Sequence, residues 1–233
     1  MNITIIYGQK HKGNTWAFVK LFLEQFEDAY VAEFYLPDES LGYCAGCVKC
    51  IMRDEKTCPH AKYMQTITTS LDNADLLIIA SPCYAMGMTG QLKTLFDHLA
   101  YRYMAHRPEP SMFSKQALAI STAAGAGMGK TAKTIADNLF WWGVARIYQY
   151  GLRIYAPDFE SIPDKRKKKI VRKVKRIARN IQINNKRVKV GLKTKLMFWI
   201  MRLNMKENNE LNSADRKYWQ KHGWLGKARP YKP

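Results

Sequence analysis

Apolar and polar positions repeat along the first two thirds of the chain in one order. A short apolar run comes first, then a polar loop, then a stretch with an apolar stripe at helical spacing. Asn2–Tyr7 (NITIIY) is β-branched and apolar and stops at Gly8, the pattern of a buried strand. A helix is predicted over 16–26, with Phe18, Val19, Leu21, Phe22 and Phe26 as its apolar positions and Asn14 or Thr15 as its cap. Residues 29–36 give a second strand. Residues 74–80 (ADLLIIA) are almost continuously apolar, as a central parallel strand covered on both faces must be. Residues 116–121 and a segment within 144–155 supply the fourth and fifth strands. Further helices are predicted over 62–71, 91–103, 130–142 and 162–183. In the last, Ile170, Val174, Ile177 and Ile181 form one stripe, widened by Val171 and Ala178.

Strands alternating with helices argue an α/β domain whose parallel sheet is covered on both faces. Right-handed crossovers leave few topologies, and ligands in such sheets bind outside the carboxyl ends of the strands. The loops after the first, third and fourth strands are therefore the informative ones. The first, Gly8–Thr15 by number 8–15 (GQKHKGNT), leads from a strand into a helix start, where backbone N–H groups and the helix dipole favour a phosphate. Lys10, His11 and Lys12 add positive charge or donors there. The domain is expected to span 1–183, with a cysteine-rich loop at 41–60, and a helical extension to occupy 184–233.

Composition changes the picture at the C-terminal end. The chain has 233 residues and is 47% hydrophobic, enough for one core plus an appendage. No apolar run reaches membrane-spanning length. Met1 leads directly into a run too short for a leader, which predicts a cytoplasmic protein with reduced thiols. The net charge of +19 is uneven: residues 1–160 hold 15 Lys+Arg and 15 Asp+Glu, whereas residues 161–233 hold 23 and 4. Packing on the sheet accounts for the apolar stripe of 162–183, so its lysines are expected to face water. Residues 196–203 (LMFWIMRL) are apolar nearly all round with no strand left to cover them, so a partner is expected. A second subunit, giving a homodimer, is the first choice and an anionic membrane surface the second. Nucleic acid comes third, because no reading motif accompanies the charge. The tail with Trp219 and Trp224 is expected to fold back onto the domain or its partner.

Four cysteines, Cys44, Cys47, Cys50 and Cys58, stand as C-x2-C-x2-C-x7-C. Four thiolates at such gaps hold an Fe–S cluster; a structural zinc site and a disulfide-linked loop are the alternatives. Residues 124–131 (AGAGMGKT) fit the loose form of a phosphate-binding P-loop, with Lys130 and Thr131 in the expected places. Against an NTPase, the first position is Ala and no apolar strand ends in an Asp to hold magnesium.

Three motifs together resemble the flavodoxin-like NAD(P)H-dependent FMN reductases, in particular their iron–sulfur flavoprotein branch. They are G-N-T at Gly13, Asn14 and Thr15, S-P-x-Y at Ser81, Pro82 and Tyr84 with later Lys93 and Asp97, and the cysteine run. The run 213–225 (SADRKYWQKHGWL) also looks like tails of this group. The resemblance implies a flavodoxin-like, five-stranded parallel sheet and bound FMN. The phosphate would sit on Gln9, Lys10, His11, Gly13, Asn14 and Thr15, with Gln9 where the family usually has Ser. The flavin ring would lie against Pro82, Cys83, Tyr84 and Ala85, with Ala123, Ala124 and Gly125 on its other side. It implies a [4Fe–4S] cluster on Cys44, Cys47, Cys50 and Cys58, although Pro59-His60 replaces an acidic pair often found after the last cysteine. Electrons would come from NAD(P)H or reduced ferredoxin and pass to a flavin, quinone or other acceptor. No general base is expected, since the flavin carries the chemistry. Cys83 reads as a packing residue and His98 as a helix-surface histidine. Tyr101, Tyr103 and His106 lead into a proline-broken loop expected to overhang the flavin. A non-enzymatic redox-sensing flavoprotein is the reading from another class.

Overall fold

The computed structural model describes residues 1–39, 41–207 and 212–232. Its strands are β1 (Asn2–Tyr7), β2 (Tyr30–Tyr35), β3 (Leu76–Pro82), β4 (Gln116–Ala123) and β5 (Arg146–Arg153). Between and after them come α1 (Asn14–Leu23), the single turn α2 (Lys49–Met52), α3 (Ala61–Asn73), α4 (Gly90–His98), α5 (Met128–Trp141) and α6 (Asp164–Ile183). The chain continues into α7 (Leu192–Lys206) and α8 (Ser213–Lys221).

The strands form one parallel sheet in the order β2-β1-β3-β4-β5, the flavodoxin-like order. The chain winds outward from β1 to β2 and then returns past β1, so the switch point lies between β1 and β3. There Tyr7 is level with Ala80, and beyond them Ser81 pairs Ser121 and Pro82 pairs Thr122. Gly8 N–H donates to the Ala80 carbonyl at 2.8 Å. The loops leaving β1, β3 and β4 therefore open at one end of the sheet.

Both faces of the sheet are covered, which is why β3 is apolar along its whole length: Leu76 through Ala80 are fully buried. Ile3, Ile5, Leu76, Ile78, Leu118 and Ile120 pack beneath α1 and α6. Ile6, Leu77, Ile79, Ala117 and Ala119 pack with Ile67, Leu95 and Ile135 of α3, α4 and α5. From α6, Ile170, Val174, Ile177, Ala178 and Ile181 are buried as the periodicity requires, while Val171 is only half-buried.

A third apolar cluster joins the C-terminal helices to the domain: Phe198, Trp219 and Trp224 meet Met104 and Phe113. Trp219 Nε1 donates to the His106 carbonyl at 2.5 Å, and Arg202 donates to the carbonyls of Trp224, Leu225 and Gly226 at 2.9 Å. The tail folds back as expected. The cover over α7 is only one-sided: Thr194, Phe198 and Met205 are buried, whereas Leu192, Leu196, Trp199 and Leu203 are exposed.

Lys115 precedes β4 and is nearly fully buried. Its Nζ donates to the carbonyls of Asp72 at 2.7 Å and Ala74 at 2.6 Å, closing the C-terminal end of α3. Burial lowers its pKa from the ordinary lysine value. Lys115→Met is expected to cost about 2–3 kcal/mol in urea titration, because two buried carbonyls lose a charged donor. In the window between the lowered folded value and the usual lysine value, the unfolded chain binds more protons. Wild-type stability therefore gains with rising pH there, and the Met variant should lack that component.

Candidate active site at the carboxyl ends of the strands

The β1 loop begins with buried Gly8 and Gln9 and then exposes Lys10, His11 and Lys12. The helix after it starts one residue earlier than a side-chain cap would place it. Gly13 is the N-cap, and no side chain accepts from the first-turn amides. Neither Asn14 nor Thr15 is the cap, because both already lie in the first turn of α1. Asn14 Nδ2 donates to the Pro157 carbonyl at 3.3 Å. Thr15 Oγ1 is 2.6 Å from Thr122 Oγ1 and ties the start of α1 to the end of β4. Gln9 Oε1 and Asn14 Oδ1 are buried without a hydrogen-bond partner. An open helix N-terminus, bordered by unmatched amide groups and by lysines, is suited to an anion. Lys10 is paired with Asp38 at 2.7 Å, on the exposed rim.

The β3 loop is built around a tight turn. Tyr84 and Gly87 exchange both backbone hydrogen bonds, at 2.9 and 3.0 Å. The two residues between them, Ala85 (φ 46) and Met86 (φ 64), are left-handed without being glycine. Such conformations are costly and collect at ligand-binding sites. Tyr84 is 58% and Met86 56% exposed, so the turn presents two large apolar side chains at the mouth of the cleft. Ser81 Oγ accepts from Thr89 N–H at 3.0 Å, and Thr89 Oγ1 in turn caps α4. Cys83 N–H donates to the Thr122 carbonyl at 2.8 Å.

The β4 loop closes the other side. Ala124 and Gly125 are exposed and Ala123 is half-buried. Gly127 has φ +88, and a Cβ there would lie 2.5 Å from Cys83 Sγ and 3.2 Å from Met86 Sδ. The β3 and β4 loops thus touch where Cys83 Sγ meets Gly127. Thr131 is fully buried, which withdraws it from the role that a P-loop threonine needs. β3 ends in Ser81 and Pro82, with no carboxylate for magnesium, so this geometry does not favour the NTPase reading.

The cysteine loop follows β2 and packs against α4, with the Gly42 carbonyl 2.9 Å from His98 Nε2. Residues 41–48 are without regular secondary structure, and Gly42, Gly46 and Val48 take positive φ. Cys44 and Cys47 are exposed, Cys50 and Cys58 half-buried. Burial, followed by Cys58, Cys44 and Cys47, pushes the Cys50 thiol pKa up. Among the described residues no three His, Cys, Asp or Glu side chains stand close enough to hold a metal ion.

His98 departs from expectation. It is 3% exposed, and its Nε2 is 2.9 Å from the Gly42 carbonyl, because the last turn of α4 packs under the start of the cysteine loop. The loop after α4 does not read as a flap over the flavin either. Arg107 is buried and donates to the carbonyls of Cys50 and, at 3.1 Å, Ile51. It also pairs with buried Asp215 of α8, whose other oxygen lies 2.7 Å from His106 Nδ1. Arg107 and Asp215 thus clamp the cysteine loop to the C-terminal tail. Sequence reasoning missed both; the Asp of the tail motif 213–225 was their one visible trace.

The model of the NADPH-dependent FMN reductase family matches residues 1–151, from β1 into β5 and through all three loops. The chain belongs to this family. It is an NAD(P)H-dependent flavin oxidoreductase that uses FMN. The reductase is similar to an iron-sulfur flavoprotein of Archaeoglobus fulgidus, 23% identical over 96% of this chain and 99% of the relative. An FMN-dependent NADH:quinone oxidoreductase of Burkholderia thailandensis is 29% identical over 51% of this chain and 59% of its own. Among solved structures, the NAD(P)H:quinone oxidoreductase from Methanothermobacter marburgensis shares the fold. Its TM-score is 0.60 at 16% identity, covering 78% of the reductase and 96% of that chain.

Proposed function

We propose that the cleft between the three loops holds FMN and that the reductase passes electrons from NAD(P)H to a quinone or free flavin. The open N-terminus of α1 carries this reading. Its uncapped amides, with Gln9, Lys10, His11, Gly13, Asn14 and Thr15 around them, would hold the phosphate. The unmatched amide atoms of Gln9 and Asn14 suit ribityl hydroxyls, or phosphate oxygens with the amides turned over. Pro82, Cys83, Tyr84 and Ala85 would form the platform for one side of the ring. Ala123, Ala124 and Gly125 would approach the other, where small side chains permit close contact. Bound FMN supplies hydride acceptance and one- or two-electron donation. The chain orients the ring on a rigid turn and has no acid–base step to perform.

The four cysteines suit a [4Fe–4S] cluster in the kind and number of their donors. The proposal is that Cys44, Cys47, Cys50 and Cys58 hold it and relay electrons to an external acceptor or carrier protein. Likeness to an iron-sulfur flavoprotein across the whole chain supports it. The thiols must gather to do so, and metal binding supplies the free energy for that ordering. Anaerobically purified protein is then expected to carry about four irons with matching acid-labile sulfide. Zinc, or no metal, would remove this part alone.

The flavin reading is tested by the visible spectrum before and after NAD(P)H, and by quinone-dependent NAD(P)H oxidation. Asn14→Asp places a carboxylate at the phosphate end of α1. It should weaken FMN binding by about 2–3 kcal/mol, roughly a 30- to 150-fold rise in Kd, measured by flavin fluorescence. A colourless protein that excess FMN cannot reconstitute would end the proposal.

A further inference from the structure

α7 carries an apolar stripe that the rest of the chain leaves uncovered. Leu192 is 84% exposed, Leu196 58%, Trp199 49% and Leu203 40%. At 100° per residue these four fall within one narrow sector of the helix. Lys195 and Lys206 line one shoulder of that sector and Lys193 the other, all three exposed. The opposite face, Thr194, Phe198 and Met205, is docked on the domain, so the stripe is held rigidly outward. Immediately before the helix, Lys186, Arg187 and Lys189 are exposed as well.

We infer that α7 is a docking surface for an anionic lipid bilayer. An interfacial helix needs a convex apolar stripe, basic shoulders and an aromatic at the boundary, and α7 has each of them on one face. Charge decides between the lipid and a second copy of this chain. A two-fold contact through the stripe would set Lys193, Lys195 and Lys206 of one copy against the same lysines of the other. Of the four carboxylates in residues 161–233, Asp164 starts α6, Glu207 follows α7, Glu210 lies outside the described residues and Asp215 is buried against Arg107. Within that segment Glu207 is the one exposed described carboxylate next to α7. Anionic headgroups supply what a second copy lacks, and the basic segment leading into α7 adds to the attraction. Among the described residues no helix is long and apolar enough to cross a membrane; the contact is peripheral.

The test is flotation of the full-length holoprotein with vesicles of phosphatidylcholine alone and with vesicles containing phosphatidylglycerol. Binding to the anionic vesicles should exceed binding to the neutral ones by about tenfold or more and should fall at high salt. The double variant Leu196→Glu/Trp199→Glu should lose at least about tenfold in vesicle binding. Its melting curve, flavin content and solution activity should stay unchanged, since both positions are exposed and remote from the flavin loops. Trp199→Phe should still bind, without the blue shift of tryptophan emission that wild type shows on vesicles. Absence of binding to anionic vesicles at low salt would overturn the inference. So would equal binding by the double variant, which would assign the attraction to lysines elsewhere. A wild-type dimer that the double variant dissolves, with no vesicle binding, would give the stripe to a second copy instead.

Discussion

Asp215→Ala should destabilise the reductase by about 3–5 kcal/mol in urea unfolding, the loss expected when one partner of a buried ion pair is removed. Arg107 and Asp215 are both nearly fully buried, so the remaining guanidinium would keep its charge away from water, supported by two carbonyls and by a longer, 3.7 Å pairing with partly exposed Glu55. His106 would lose its carboxylate partner at the same time. The consequence reaches the cysteines. Arg107 holds the backbone of Cys50 and Ile51, and Asp215 fixes Arg107 to α8, so proteolysis within residues 41–58 should accelerate in the variant. Asp215→Asn retains an acceptor and should lose less. Arg107→Leu/Asp215→Leu should be less damaging than the sum of its single changes, because neither charge is then stranded. An Asp215→Ala protein with wild-type stability and unchanged proteolysis would show that the clamp carries nothing.

How far the sequence discloses such features depends on whether the cause is local. A parallel strand covered on both faces must be apolar throughout, so β3 was legible as ADLLIIA, and Asn2–Tyr7 matches β1 end to end. Strand–helix alternation places the turns after β1, β3 and β4 at one end, so the candidate flavin loops were legible too. The start of α1 was misread because a helix that opens onto a ligand cleft is left uncapped, against the usual rule. His98 was misread because α4 is covered by the cysteine loop, which ordinary helix patterning does not reveal. The Arg107–Asp215 pair joins positions 108 residues apart, and no local pattern encodes it. Cysteine spacing identifies a donor set, yet says nothing of how closely the thiols lie before metal arrives.

Gly151→Val should loosen the flavin site from beneath, without touching it. A Cβ at Gly151 would stand 2.9 Å from backbone atoms of Met128 and Gly129. No side-chain rotation can relieve contact with backbone, so β5 or the first turn of α5 must move. That first turn follows Gly127, whose backbone lies against Cys83 and Met86. Displacing it pulls the β4 loop from the β3 loop, and the two proposed walls of the flavin cleft separate. Overpacking of this kind costs about 1–3 kcal/mol of stability. Each 1.4 kcal/mol of lost complementarity costs about tenfold in FMN affinity. The expected result is a folded variant with a lower urea midpoint and an FMN Kd at least about tenfold higher by fluorescence titration. Gly151→Ala should fall between the two. Gly129→Ala is the control: nothing lies within 4 Å of its added Cβ, and alanine in a helix should be neutral or stabilising by up to about 1 kcal/mol. Wild-type flavin affinity in Gly151→Val, with stability unchanged, would mean that α5 does not set the width of the cleft.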